Sequence, residues 1–521
     1  MAHFNLITEP WIGARTLSGD RVSLGLQDLV ARAHELQALA NESPLTSAAL
    51  ARLLLALVHR VVGPKSDLEW ERLYKVGRFD ELAFSVYLEK WRSRFDLFDD
   101  QYPFYQIGHL IEQSPNYERG KKPAREMIAE QSSYGGAREL FESRPSDASY
   151  AIPPQVAARW LVALHAFHPG GLLTRDTNNN GDPTSAKAGP VCSSAVALIQ
   201  GSNLFETLVF NLINYPSQSF PSQADDAPVW EIEPSPKASS RACRGLLDWY
   251  TWQSRRIQLL PDADGAVDSF ILLQGVAVTE APRIDPMCAY RRHQKHGLLP
   301  IGFSTDRALW RDVEALCQIS STEDREFQAP TTVRVLAARD TTQPWEFLNI
   351  ELNGQEPDQA KILLSRSESV AIPRELFTDE ALLRVLQTSI KKCEGGAQAL
   401  NAGLFVALKT FLGAAGREPP TKDVRNLIAS TQAIPRYWAQ LKAAFDQFLF
   451  SLGRSREEAA RRFQFEIRRA VLREYETAAL SIGHSARALR GLSAGRRTLF
   501  ISLAEAELSA ADVHAPQESV S

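Results

Sequence analysis

The last third of the chain constrains the fold most. From about residue 376 to 507, apolar residues recur at three- and four-residue spacing in four blocks, 379–412, 422–452, 456–482 and 486–508. Breaks fall at "GAAGREPP" (413–420), "GRS" (453–455) and "GHS" (483–485), where Gly ends a helix and Pro or Ser begins the next. Each block has one apolar stripe to bury, and short connections make neighbours antiparallel. The pattern therefore predicts an up-and-down four-helix bundle over 376–510, followed by a flexible tail at 511–521.

The remaining 375 residues read differently, and 521 residues exceed what one compact core organises. Helical periodicity at 47–62, 80–94, 154–167 and 204–212 alternates with strand-like runs, "IQLLP" (257–261), "FILLQGVAV" (270–278) and "VRVLAARD" (333–340). Long polar loops are expected at 108–149 and 170–189, the second reading "GGLLTRDTNNNGDPTSAKAG". The expected class is α+β: a large mixed α/β domain over 1–375, then the bundle.

A hydrophobic fraction of 44% and a charged fraction of 23% allow a sizeable buried core. Net charge of −4 excludes a basic surface over the whole chain, yet the charge is uneven. Residues 376–521 carry about +5, leaving −9 elsewhere. Arg461-Arg462 and Arg468-Arg469 lie seven residues apart and share one side of a helix, as a solvated face or as a phosphate-facing stripe. The opening "MAHFNLITEPWIG" lacks a basic leader, so a cytoplasmic protein is expected. The most apolar window, 47–63, holds Arg52, His59 and Arg60 and reads as an amphipathic or buried helix rather than a membrane span.

Chemistry-bearing motifs are few. Five scattered cysteines without a C-x-x-C pair argue against a structural zinc site and a disulfide framework. His165/His168 and His293/His296 form H-x-x-H pairs without a carboxylate companion, so satisfied or surface histidines are favoured over metal ligands. No phosphate-binding loop or nucleophile motif occurs, and no catalytic apparatus is visible.

Two clusters suit binding instead. "TWQSRRIQLL" (251–260) joins Trp252 to Arg255-Arg256, and "DPMCAYRRHQKHG" (285–297) joins Tyr290 to Arg291, Arg292 and Lys295. Guanidinium groups take phosphates and rings stack on bases, which fits nucleic acid. The alternatives are a core strand for the first and a solvated surface for the second. Asn353, Gly354, Pro357 and Asp358 supply hairpin chemistry between two strand-like segments of 351–373. The turn at 358–361 is either a plain solvated connection or a tip that touches a ligand.

In order, "FNLITEPWI" (4–12), "FDLFDDQYPFYQ" (95–106), "AARWLVALHAFHPGG" (157–171), "APVWE" (227–231), "LDWYTWQSRRIQL" (247–259), "DPMCAYRR" (285–292) and "ALWRD" (308–312) resemble the CasA family, the large subunit of the type I-E CRISPR Cascade complex. The resemblance implies a non-enzymatic subunit that reads the protospacer-adjacent motif (PAM) of double-stranded DNA, promotes strand separation and R-loop formation, and helps recruit a helicase-nuclease. It also implies a four-helix C-terminal bundle, no cofactor and no membrane. Its partners would be target DNA, the crRNA 5′ end, the backbone, 5′-handle-binding and small subunits, and the helicase-nuclease.

Site residues carry over where the text matches. "PDQAKILL" (357–364) resembles the family's wedge hairpin, placing the wedge at Gln359 with Asp358 and Ala360 beside it. "FHPGGLL" resembles its glycine-rich minor-groove loop, giving Gly170 and Gly171. "ARELFESRP" (137–145) resembles a loop that contacts the crRNA 5′ end and DNA through Leu140, Phe141 and Glu142. Arg291 and Arg292, with Lys295, resemble a basic patch for the displaced non-target strand. The family's lysine finger has no clean counterpart, Arg283 being the nearest basic residue to "FILLQGVAV". Some members bind zinc through two cysteine pairs, which this chain lacks, so no metal is expected. A scaffold subunit with only nonspecific DNA binding, and a hydrolase built on an H-x-x-H pair, are the competing readings.

Overall fold

The structure is a computed structural model. It describes residues 2–113, 117–128, 151–173, 185–217, 222–235, 237–279, 284–318, 326–339, 345–358, 361–413 and 418–509. The chain divides into two compact units. The first comprises Met1–Leu309, Gln318–Thr342 and Asn349–Ser369, and the second comprises Trp310–Cys317, Gln343–Leu348 and Val370–Ser521.

Helices α1 (Leu26–Ala31), α2 (Pro44–Val62), α3 (Asp67–Val76), α4 (Glu81–Lys90), α5 (Leu110–Gln113), α6 (Tyr117–Gly120), α7 (Pro154–Phe167), α8 (Leu204–Phe210) and α9 (Leu246–Tyr250) precede α10 (Glu314–Cys317) and α11 (Thr331–Ala338). The strands are β1 (Ile12–Thr16), β2 (Arg21–Leu24), β3 (Leu36–Leu39), β4 (Lys121–Pro123), β5 (Val196–Gln200), β6 (Ser239–Arg241), β7 (Arg255–Pro261), β8 (Val267–Gln274), β9 (Val276–Val278), β10 (Tyr290–His293), β11 (Gly297–Pro300), β12 (Phe327–Gln328), β13 (Phe347–Asp358) and β14 (Lys361–Pro373). They form small sheets ordered β2-β1-β3, β4-β8-β7, β14-β13-β5 and β11-β10-β12, with β6 and β9 as a parallel pair. Small sheets joined by helices make an α+β fold.

Helix α2 is capped by Ser43, which accepts from the Leu45 N–H, and Pro44 occupies its first turn, where no donor is needed. Leu50, Leu53, Leu54 and Leu57 are fully buried, so the helix is apolar nearly all round, as a core helix must be. Among the described residues it alone is long and apolar enough to cross a membrane. Its buried Arg52 lies 2.8 Å from the Asp285 carboxylate, which also accepts from Trp249 Nε1 at 2.7 Å and the Met287 N–H at 2.8 Å. That network ties the segment leading into β10 to the core of the first unit.

Several expectations change. "VRVLAARD" is helical, not a strand: α11 follows Pro330, and burial of Thr332, Val333 and Leu336 has helical spacing. Its β-branched residues suggested a strand, but packing on one face decides. The start of the expected 108–149 loop contains α5, α6 and β4, the last paired to β8. "FILLQGVAV" divides at Gly275 into β8, paired with β7, and β9, paired with β6, and a side chain at Gly275 would come within 2.5 Å of the Arg255 backbone.

The second unit contains α12 (Glu380–Leu412), α13 (Thr421–Ser430), α14 (Ala433–Leu452), α15 (Arg456–Ile482) and α16 (Ala486–Glu505). The block expected at 422–452 is thus two helices. Pro435 has no N–H and its ring would clash with the carbonyl four residues back, so it fits only the first turn of a new helix. The break falls at Thr431 and Gln432, the latter with φ of +54°. Residues ahead of the bundle in sequence also belong to this unit. Trp310 packs on Phe445 with ring centroids 4.7 Å apart, and Arg311 lies 2.7 Å from the Glu394 carboxylate.

Helices α12 and α16 approach closely through glycine. A Cβ on Gly495 would lie 2.4 Å from the Gly403 carbonyl oxygen, and one on Gly491 would lie 2.5 Å from that of Ala407. Tyr475 of α15 then donates to the Leu492 carbonyl of α16 at 2.8 Å.

Candidate nucleic-acid interface

The site is built on the first unit around β5. At Val196 this strand pairs with Asn353 of β13, and the same residue bridges Cys288 just before β10. The β13–β14 and β10–β11 segments therefore share one root.

Strands β13 and β14 are neighbours separated by two residues in sequence, a length that only an antiparallel hairpin can close. Asp358 and Lys361, at the two ends, are exposed. Gln359 and Ala360 lie outside the described residues. Below them Gln355 is fully buried, and its amide nitrogen donates to the Phe167 carbonyl at 2.6 Å.

Phe167 ends α7. Pro169 stops that helix by disfavouring helical geometry at His168, so the chain turns out into Gly170-Gly171. Gly171 bridges Ala186 with reciprocal backbone bonds of 3.0 and 2.8 Å, and its φ of +152° favours glycine. A Cβ on Gly170 would come to 3.0 Å from the Ala188 nitrogen. Gly171's N–H is spent inside the protein, so the segment offers close backbone approach rather than a donor from Gly171.

Behind this loop, buried Arg255 donates to the Pro169 carbonyl at 3.0 Å and to that of Ser254 at 2.7 Å. His168 Nδ1 sits 2.7 Å from the same Pro169 oxygen and 3.2 Å from Arg255 Nη2. Burial first, and then the Arg255 charge, pushes His168 well below its ordinary value. Burial also brings His165 down to about 4, against a smaller opposing bond to the Tyr105 carbonyl. These histidines stay neutral at physiological pH and support the loop. Among the described residues, no group of three or more His, Cys, Asp or Glu converges as a metal site would require.

The bridge at Ala186 also brings in a cation that sequence inspection passed over. Lys187 is exposed, and its Nζ donates to the Val278 carbonyl at 2.9 Å. Beside it lies a cavity of about 170 Å³ whose lining includes Lys187, Gly189, Trp252, Arg255 and Gly275. Lys187 is sixteen positions from Gly171 in an aperiodic polar stretch, so only the bridge reveals the proximity.

On the β10–β11 hairpin, Arg291, Arg292 and Lys295 are all exposed. Arg291 also sits 5.0 Å from the Phe327 ring centroid and 3.8 Å from Glu326. The His293 and His296 rings stack 4.8 Å apart at the same tip.

Tyr290 does not join them as a stacking platform: it is buried, with its hydroxyl accepting from the Asp285 N–H. The other aromatic-basic cluster is core as well. Trp252 is buried and donates to the Val276 carbonyl, while Arg255 and Arg256 are spent on backbone carbonyls of Pro169, Ser254 and Gln274. Arg283 and the triplet Leu140, Phe141 and Glu142 lie outside the described residues.

A family model described as CRISPR-associated protein Cse1 (CRISPR_cse1) matches residues 5–481. The CRISPR-associated protein CasA/Cse1 of Thermus thermophilus is 32% identical over 526 aligned residues, covering 95% of this chain and 96% of that protein. The crystal structure of Thermus thermophilus CasA superposes with a TM-score of 0.81 at 29% identity, over 96% of this chain and 99% of that one. A chain of a structure titled CRISPR RNA-guided surveillance complex shares the fold, with a TM-score of 0.77 at 20% identity over 96% of this chain and 100% of that one.

Proposed function

The chain belongs to the CRISPR-associated protein Cse1 (CasA) family, and from that premise we propose that it is the large, non-catalytic subunit of a type I-E RNA-guided surveillance complex that recognises the PAM of double-stranded DNA. In this reading Gln359, flanked by Asp358 and Ala360, enters the base stack beneath the PAM while Gly170 and Gly171 approach the minor groove. Arg291, Arg292 and Lys295 hold phosphates of the displaced strand, and Arg283 adds a basic contact near the PAM. Leu140, Phe141 and Glu142 meet the crRNA 5′ end. Local opening of the duplex leads to an R-loop and to arrival of the helicase-nuclease, with all partners cytoplasmic.

The observation that carries the reading is the Gln355 to Phe167 bond, which links the base of the β13–β14 hairpin to the helix end that issues Gly170-Gly171. Two segments that would meet the same groove are thereby held to one frame. A long side chain at such a tip can wedge between base steps for a few kcal/mol of unstacking, roughly, offset by the contacts that bent or opened DNA permits.

The test uses the assembled complex. Gln359→Ala should leave subunit and crRNA content unchanged while slowing target opening, read by permanganate reactivity of PAM-proximal thymines. Opening at the wild-type rate refutes the wedge. Competition between duplexes differing only in the PAM separates this reading from a scaffold with nonspecific binding, which would hold both equally.

A further inference from the structure

The second unit carries a basic surface on α15 and α16 that the PAM-facing site does not use. Between Arg461 and Glu505 the sequence has nine arginines against four glutamates. One of those four, Glu474, is buried and bonded to Arg436, so it contributes little to the outer surface. Arg461, Arg462, Arg473 and Arg497 are exposed and have no ion-pair partner among the described residues. Arg496 faces Glu476 only at 3.8 Å.

Phe500 of α16 gives this surface a focus. Its ring is 39% exposed, and two guanidinium groups from different helices flank it, Arg468 at 5.7 Å and Arg496 at 5.8 Å from the centroid. Arg461 lies two helical turns from Arg468 on the same side of α15, about 10 Å along the axis. Arg497 follows Arg496 on α16. Arg468 is fixed in place by its bond to the Leu508 carbonyl at 2.7 Å, so the edge of this platform is preorganised.

We infer that this α15–α16 face binds a single strand of nucleic acid, with phosphates on Arg461, Arg496 and Arg497 and a base stacked on Phe500 between the flanking guanidinium groups. Unpaired arginines spaced along two helices suit a polyanion. An exposed ring among them suits an unpaired base, which a duplex would not present. A protein partner would require carboxylates at a matching spacing, and Phe500 would then need an apolar pocket rather than a flat π-face.

The test is anisotropy of a short labelled DNA single strand on the full chain at about 50 to about 200 mM salt. All proteins carry Arg291→Gln and Arg292→Gln so that the β10–β11 hairpin does not mask the signal. Adding Arg496→Gln and Arg497→Gln should reduce the slope of log affinity against log salt by about 1.4, since each phosphate contact on a single strand contributes about 0.7. Phe500→Leu should weaken binding about five-fold or more with the slope unchanged, since it removes stacking and no charge. Unaltered helical melting shows that the bundle is intact. Background affinity and slope in both variants would overturn the inference, as would loss of all single-strand binding in the background protein, a result that leaves the PAM reading standing. Retained DNA binding with loss of the variant from the assembled complex would make the face a protein contact and equally overturn it.

Discussion

Gln355 and Phe167, 188 positions apart in sequence, are joined by a 2.6 Å bond from the Gln355 amide to the Phe167 carbonyl at a fully buried position. Gln355→Leu keeps the volume but leaves that carbonyl without its donor. It is expected to cost about 1–3 kcal/mol in urea unfolding. It should also weaken PAM-duplex binding by the complex more than binding of a duplex without a PAM. Equal losses on the two duplexes would show that the bond stabilises the unit without aligning the site.

Lys187→Ala should leave stability unchanged, because the side chain is exposed and makes one bond to the Val278 carbonyl. If Lys187 meets a phosphate when duplex is bound near Gly170, the salt dependence of duplex binding should flatten by about 0.9 for that contact. A titration series at several salt concentrations reads the slope directly.

Arg52→Leu breaks a buried ion pair and strands the Asp285 carboxylate, which is expected to cost about 3–5 kcal/mol. Asp285 orders the chain into β10 through its bonds to Trp249 and Met287, so local hydrogen exchange at Met287 should rise as well. Replacing both partners by apolar residues should recover much of the stability.

Acid should destabilise the first unit. His165 is held at about 4 and His59 at about 3, in both cases chiefly by burial, against an ordinary value of 6.5. Between the folded and unfolded values the unfolded chain binds more protons, so stability present above pH 6.5 is lost as pH falls through that window. Each histidine contributes a loss of up to about 1.4 kcal/mol per pH unit. Melting temperature between pH 7 and pH 5 is the measurement, and His165→Gln should make its decline shallower.

Parts of the molecule were legible in the residues. The α12, α15 and α16 spans follow the apolar spacing and the breaks at Gly453 and Gly483, and α7 runs 154–167 as its pattern predicts. Elsewhere a local rule lost to packing or to a single residue. Pro435 divided one expected helix, and burial on one face made the Val- and Thr-rich 331–338 segment a helix. The close seat of α16 on α12 at Gly403 and Gly495 gives no periodic signal, because a glycine chosen for contact looks like a glycine chosen for a turn.

By itself the sequence determined the helical C-terminal region, the basic surplus there, the lack of motifs for catalysis, and the residues through which the family is recognised. Apolar spacing and motif order are properties of the linear chain. The tertiary structure alone decided which aromatic and basic residues are spent in the core, as Trp252, Arg255 and Tyr290 are, and which reach solvent, as Arg291, Lys187 and Phe500 do. It also decided that Gln355 meets Phe167 and that Val196 roots two hairpins. Burial and long-range pairing depend on what folds back from hundreds of residues away, and no local pattern carries that information.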